Sequence, residues 1–77
     1  MKDFDFKNEF KMLGLKIAYY RKVKGYTQEE LSEHLGVATS YIGAIEAPNM
    51  NKPISLSTLF KIAKILDTPA WKFLEFD

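Results

Sequence analysis

Imidazole and thiol side chains, the usual activators of nucleophiles and ligands of transition metals, are scarce in this sequence. There is one histidine, His34, there is no cysteine, and there is no glycine-rich loop to cradle a phosphate. His34 finds no second ligand three or four positions away except the Glu30 carboxylate, so it reads as an exposed or edge residue and no metal site is expected. With nothing to activate a nucleophile and no pocketed acidic pair, neither an enzyme nor a cofactor is expected. The remaining chemistry is hydrogen bonding and charge. Thr39 and Ser40 place two hydroxyls at the start of a short segment whose outward set continues through Gly43, Ala44 and Ala47. Side chains this short would let a helix approach another surface closely. The net charge is only +1, but it is unevenly spread. Lys11, Lys16, Arg21, Lys22 and Lys24 share residues 11–26 with no acid, and Lys52, Lys61, Lys64 and Lys72 share residues 47–72 with Asp67 alone. A basic face is therefore compatible with the balanced total.

The hydroxyls at Thr39 and Ser40 must be held by the stretch Thr27 to Glu46, TQEELSEHLGVATSYIGAIE, which reads as helix, tight turn, helix. Thr27 and Glu30 have capping-box spacing: the hydroxyl accepts from a free amide of the first turn while the carboxylate reaches back. Glu29 and Glu30 suit the positive end of the helix dipole. Leu31 and Leu35 give an apolar edge, and Gly36 stands where positive φ would end the helix. The second helix must stop before Pro48, which cannot continue the ladder. Tyr41, Ile42 and Ile45 form its apolar edge. Two helices this short cannot bury their own edges, so the rest of the chain must cover them.

Phe6, Phe10, Leu13, Ile17 and Tyr20 are spaced four, three, four and three apart, which predicts an amphipathic helix with one buried face. Asp5 or Asn8 is placed to cap its start, and Gly25 to end it. Gly14 lies inside and costs about 1 kcal/mol relative to alanine unless a neighbour approaches closely. Met12, Tyr19 and Val23 lie off the stripe, as a second contact face or as ordinary exposed residues. After the loop APNMNKPI, Ser55 predicts an N-cap, and Leu56, Leu59, Ile62, Ala63 and Leu66 the buried edge of a fourth helix. Thr68 and Pro69 read as a cap and a first helical position, opening a short fifth helix with Trp71, Phe73 and Leu74. Seventy-seven residues support one domain, here an all-α bundle over 9–77 preceded by an N-terminal arm or helix extension at 1–8. The N-terminus lacks the apolar run of a signal peptide and no stretch reaches membrane-spanning length, so a cytoplasmic protein without membrane contact is expected.

The run LGLKIAYYRKVKGYTQEELSEHLGVATSYIGAIE, then a loop, then SLSTLFKIAKILDTP, resembles the Cro/C1-type helix-turn-helix regulators, the XRE family. The likeness covers residues 13 to 74, and the GYTQEEL core, the LGV turn, SYIGAIE and SLSTLFKIA stand in the family's order. It implies a five-helix, lambda-repressor-like DNA-binding bundle with its helix-turn-helix at about residues 27–47. The helix Gln28 to Leu35 would lie across the DNA backbone, and the helix Thr39 to Ala47 would enter the major groove. The resemblance gives Gln28 a phosphate, and Thr39, Ser40, Gly43 and Ala44 the bases and flanking phosphates. It gives Tyr41 a partly buried place with its hydroxyl toward the DNA backbone, and it makes Arg21 and Glu46 a structural pair. That pair is reasonable on its own terms, because Glu46 is the only charge between Val37 and Ala47 and sits at the negative end of its helix.

This chain departs from the pattern in Ala38, where the family has a capping serine, and in the absence of Arg or Lys on the groove-facing helix. Reading would fall to hydroxyls, to methyl contacts with thymine, to Asn49, Asn51 and Lys52 of the loop, and to DNA shape. The function implied is a sequence-specific transcriptional regulator, repressor or controller type, on double-stranded DNA. One such helix spans few base pairs, so a homodimer on a palindrome is expected, with half-sites about 34 Å apart. The cluster Trp71, Phe73, Leu74 and Phe76 reads as core in part, and its surplus together with Phe60 and Ile65 suggests the contact, over Phe60, Ile65, Trp71, Phe73 and Phe76. No domain for a small-molecule effector is expected. The alternative is an antitoxin-like or adaptor module on the same fold with weak or no DNA binding.

Overall fold

In the computed structural model, which describes residues 4–50 and 52–76, the helix boundaries follow the caps. The elements are α1 (Lys7–Lys24), α2 (Gln28–Leu35), α3 (Thr39–Glu46), α4 (Leu56–Ile65) and a final 3-10 turn (Ala70–Leu74). Asp5 takes the first free amide of α1, accepting from the Lys7 N–H at 3.0 Å, and Gly25 closes the helix. Lys7 and Asn8 thus extend α1. The Thr27 capping box is complete: Thr27 Oγ1 accepts from Glu30 N–H at 3.0 Å, and Glu30 Oε1 accepts from Thr27 N–H at 2.8 Å. Gly36 ends α2 at φ 79°, where its own N–H and that of Val37 both reach the Ser32 carbonyl. Ser55 caps α4 by accepting from Thr58 N–H at 3.1 Å. Ala38 occupies the N-cap of α3 with ordinary capping dihedrals and no side-chain bond. Ala38→Ser is therefore expected to raise stability by about 1 kcal/mol, read as a higher urea midpoint at unchanged slope.

Every element contributes to one core. Leu13 and Ile17 of α1 meet Leu31 of α2, Ile42 and Ile45 of α3, Leu59, Ile62 and Ala63 of α4, then Leu66 and Phe73. α1 crosses α3 closely at Gly14, which is buried against the Ile45 backbone. That approach explains a glycine in the middle of a helix.

Four expectations need correction. Phe6 is about half exposed, because it is the N-cap residue and precedes the first turn of the stripe. Leu56 is exposed, since it shares an angular position with Ala63 but comes nearly two turns too early to reach the core. Thr68 does not cap the last element, because its hydroxyl turns back to donate to the Leu66 carbonyl at 3.0 Å, and Pro69 stands at the N-cap instead. The fifth helix is a 3-10 turn, so Trp71 and Leu74, three apart, share an outer face while Phe73 points inward.

Candidate nucleic-acid interface

Two side-chain locks fix the angle at which α3 is carried. The first joins α1, α2 and α3. Arg21 Nε donates to Glu46 Oε2 at 2.7 Å and Nη2 to Oε1 at 2.9 Å, while Nη1 donates to the Tyr26 carbonyl at 2.7 Å. Gln28 Nε2 adds a third donor to the carboxylate, reaching Oε1 at 3.0 Å. Arg21 and Glu46 are each 7% exposed, so this is a fork-to-fork pair in a dry setting, with the charge-assisted bonds at their strongest. The predicted structural pair is therefore present, and it neutralises the carboxylate at the negative end of α3.

The second lock is Ser32, which sequence reasoning missed. It is buried, and its Oγ donates to the Glu29 carbonyl at 2.7 Å while lying 3.1 Å from Thr39 Oγ1. A serine has one hydroxyl proton, and that proton goes to Glu29, so Thr39 donates in the contact between them. Thr39 is exposed, and its oxygen keeps lone pairs able to accept from outside the protein. A small polar residue beside Leu31 on the inner face of α2 was the only signal, and it does not reveal its partner.

The predicted site residues fall unevenly. Thr39 and Ser40 are exposed at the first turn of α3, while Ile42, Ile45 and Glu46 are buried behind them. Tyr41, Ala44 and Ala47 are half-buried. Gly43 is half-buried too, with the Gln28 carboxamide oxygen 3.6 Å from where a Cβ would stand. Gln28 thus lies over α3 and uses one amide proton inside the protein, leaving the other for an outside acceptor. Lys52 brings a positive charge to α3 that is not spent on Glu46, its ammonium 5.8 Å from the centroid of the Tyr41 ring. Asn49 is exposed on the same connection, and Asn51 lies outside the described residues. His34 is exposed and stacked on Tyr26, ring centroids 5.1 Å apart.

The expected dimer contact does not form one surface. Phe73 is fully buried, in edge contact with Tyr20 at 5.1 Å, and belongs to the core. Phe76 is partly buried against that core. Ile65 lines a depression with His34, Leu35, Lys61 and Lys64, on a different side of α4 from Phe60. Only Phe60 and Trp71 are exposed, at 54% and 59%. Phe60 borders a depression of about 410 Å³ with Ala63, Lys64, Asp67 and Ala70.

An eight-residue helix held on a capped partner helix across a left-handed glycine turn, with short hydroxyl residues outermost, defines a helix-turn-helix domain. Residues 17–70 match the helix-turn-helix family, and the chain belongs to its Cro/C1-type, or XRE, branch. It is 41% identical over 64 residues to the HTH-type transcriptional regulator SinR of Bacillus subtilis, a match covering 83% of this chain and 57% of that protein. It is 35% identical over 72 residues to the control protein C.SmaI of Serratia marcescens, covering 94% of this chain and 83% of the other. The crystal structure of SinR, the master regulator for biofilm formation, in complex with DNA superposes with a TM-score of 0.74 at 40% identity, over 82% of this chain and 98% of that one. The chain spans little more than half the length of its Bacillus subtilis relative.

Proposed function

We propose that this protein is a sequence-specific, DNA-binding transcriptional regulator of the repressor or controller type, acting in the cytoplasm without catalysis or cofactor. The observation that carries the reading is the division of α3. Its inner edge is anchored by Ile42, Ile45 and the Arg21–Glu46 pair, and its first turn leaves Thr39 and Ser40 exposed. A recognition helix meets base edges with its N-terminal residues, so this is the turn that must be bare. In this reading Thr39 accepts from a base amino group, Ser40 contacts a base or phosphate, and Gly43 and Ala44 allow close approach or touch a thymine methyl. Gln28 directs its second amide proton to a phosphate. Tyr41 directs its hydroxyl to the DNA backbone, and Asn49 and Lys52 reach the DNA from the loop that follows α3. The DNA complex of a relative 40% identical to this chain supports the arrangement.

Selection of bound sequences from a random duplex pool tests the proposal. A symmetric enriched motif is expected, and an unenriched pool would overturn it. Within that assay, Thr39→Val keeps the shape and removes the hydroxyl, both as an acceptor toward DNA and as the donor to Ser32, so it should change the preferred base at one position by about 1–3 kcal/mol. Gln28→Ala should weaken all sequences alike, and Lys52→Ala should lower the log–log salt slope by about 0.9. Equal behaviour of all three variants would show that the helices are wrongly oriented.

The proposed assembly is a homodimer on a palindrome, joined through Phe60 and the depression beside it, with Trp71 exposed on the following 3-10 turn. Lys64 and Asp67 both border that depression, so a two-fold axis can set each lysine against the other copy's aspartate. Phe60→Glu is expected to yield a monomer in sedimentation velocity and to weaken operator binding steeply, because two half-sites no longer act together. One observation favours the adaptor reading instead: α3 carries no cation of its own, Arg21 beside it is spent on Glu46, and Lys52 reaches only the Tyr41 ring. Affinity insensitive to salt would support that alternative.

A further inference from the structure

We infer that the outer face of α1 is a docking surface for an acidic amphipathic helix of a partner protein. Met12, Leu15, Tyr19 and Val23 follow one another at three, four and four residues, a second apolar stripe on a helix whose first stripe is already buried. Leu15, Tyr19 and Val23 are 45%, 59% and 67% exposed. Gly14 and Arg21 mark the side of α1 turned toward α3, and at 100° per residue the outer stripe lies well over a quarter-turn away from it. Neither the core nor the proposed DNA contact uses this face. Its four anchors cover about 16 Å of helix axis, three turns of a docked helix. Met12, Leu15, Lys16 and Tyr19 also enclose a shallow depression of about 300 Å³, able to take an inserted side chain.

The charge around the stripe selects the occupant. Lys16 borders one side and Lys11 and Lys22 the other, and no carboxylate occurs between Phe10 and Gln28. Glu9, the one acid on α1, lies in its first turn, ahead of the stripe. A second copy of this chain would press lysines against lysines here, whereas the α4 depression offers both signs. A membrane surface suits a broad apolar face, and this one is a single row between cations. A helix with apolar residues at i, i+4, i+7 and i+11 and flanking glutamates fits both the row and its rims.

The test uses the whole chain and two labelled synthetic helices of about 16 residues with the same leucine row, one flanked by glutamate and the other by lysine, followed by fluorescence anisotropy. The acidic probe is expected to bind, the basic one not. Leu15→Glu and Tyr19→Glu should each weaken binding about tenfold or more, with thermal midpoint and DNA affinity unchanged. Equal binding of the two probes, or no binding of the acidic one, overturns the inference. Displacement of the acidic probe by duplex DNA would reduce the contact to polyanion attraction and also overturn it. So would Leu15-dependent uptake by phosphatidylserine vesicles in place of probe binding, which would reassign the face to lipid.

Discussion

Replacement of Glu46 by alanine is expected to cost about 3–5 kcal/mol of folding stability and to abolish DNA binding at temperatures where the chain stays folded. The cost comes chiefly from what is left behind. Arg21, only 8% exposed by side chain in the intact pair, would keep only the Tyr26 carbonyl as partner, and Gln28 would lose its acceptor. Glu46→Gln is expected to be nearly as severe despite equal size. Three donors now converge on the two carboxylate oxygens, and a carboxamide offers one oxygen and turns an N–H toward a donor. The double replacement Arg21→Met with Glu46→Leu separates stability from orientation. A buried pair exchanged for apolar residues of similar volume is often neutral or stabilising, so this variant should fold. It should still bind DNA poorly, because nothing directional then links α1, α2 and the end of α3. Urea unfolding and operator titration of the three variants check the prediction. Full binding by the double variant would show that the pair holds no orientation.

The capping residues were legible because a cap is local: Thr27 with Glu30, Gly25, Gly36 and Ser55 need only their own helix, and each stands where its spacing indicated. The angular position of a residue was equally legible, and so the core from Leu13 to Leu66 follows from periodicity. Where along the helix burial begins is a different quantity. Phe6 and Leu56 have the right angle and the wrong height, and height depends on the neighbours' lengths. Phe73 failed for another reason. Composition shows that the C-terminal aromatics exceed what the core can hold but not which of them stay out, and it is the 3-10 turn, at 120° per residue, that sends Phe73 in while Trp71 and Leu74 face out.

The site shows the same division. Arg21 and Glu46 could be paired through family resemblance and the isolation of one carboxylate in its helix. Ser32 could not be matched to Thr39, because a hydroxyl contact between two helices leaves no trace in spacing. Gln28 was assigned outward alone, yet it has an inner partner as well, and one side chain serving both roles is invisible until the distance is known.

Gly14→Ala and Gly43→Ala are expected to move stability in opposite directions, although both put alanine for glycine inside a helix. Helix propensity favours alanine by about 1 kcal/mol at either position. At Gly43 the added Cβ stands 3.6 Å from Gln28 Oε1, an ordinary contact with the end of a movable side chain, so most of that gain should be kept. At Gly14 the added Cβ would overlap the Ile45 carbonyl oxygen, with the carbonyl carbon only 3.2 Å away. Those atoms are backbone, part of α3 itself, and cannot rotate aside. α1 and α3 must separate, which loosens Leu13, Ile17, Ile42 and Ile45 together and pulls Arg21 from Glu46. The loss should exceed the propensity gain by far, a net cost of about 3 kcal/mol or more. For a domain of this size that lowers the melting temperature by roughly 12 °C or more, measurable by calorimetry. DNA binding should fall for Gly14→Ala in step with the displaced helix. A melting temperature raised equally by both substitutions would mean that the close crossing of α1 and α3 is not what holds α3 in place.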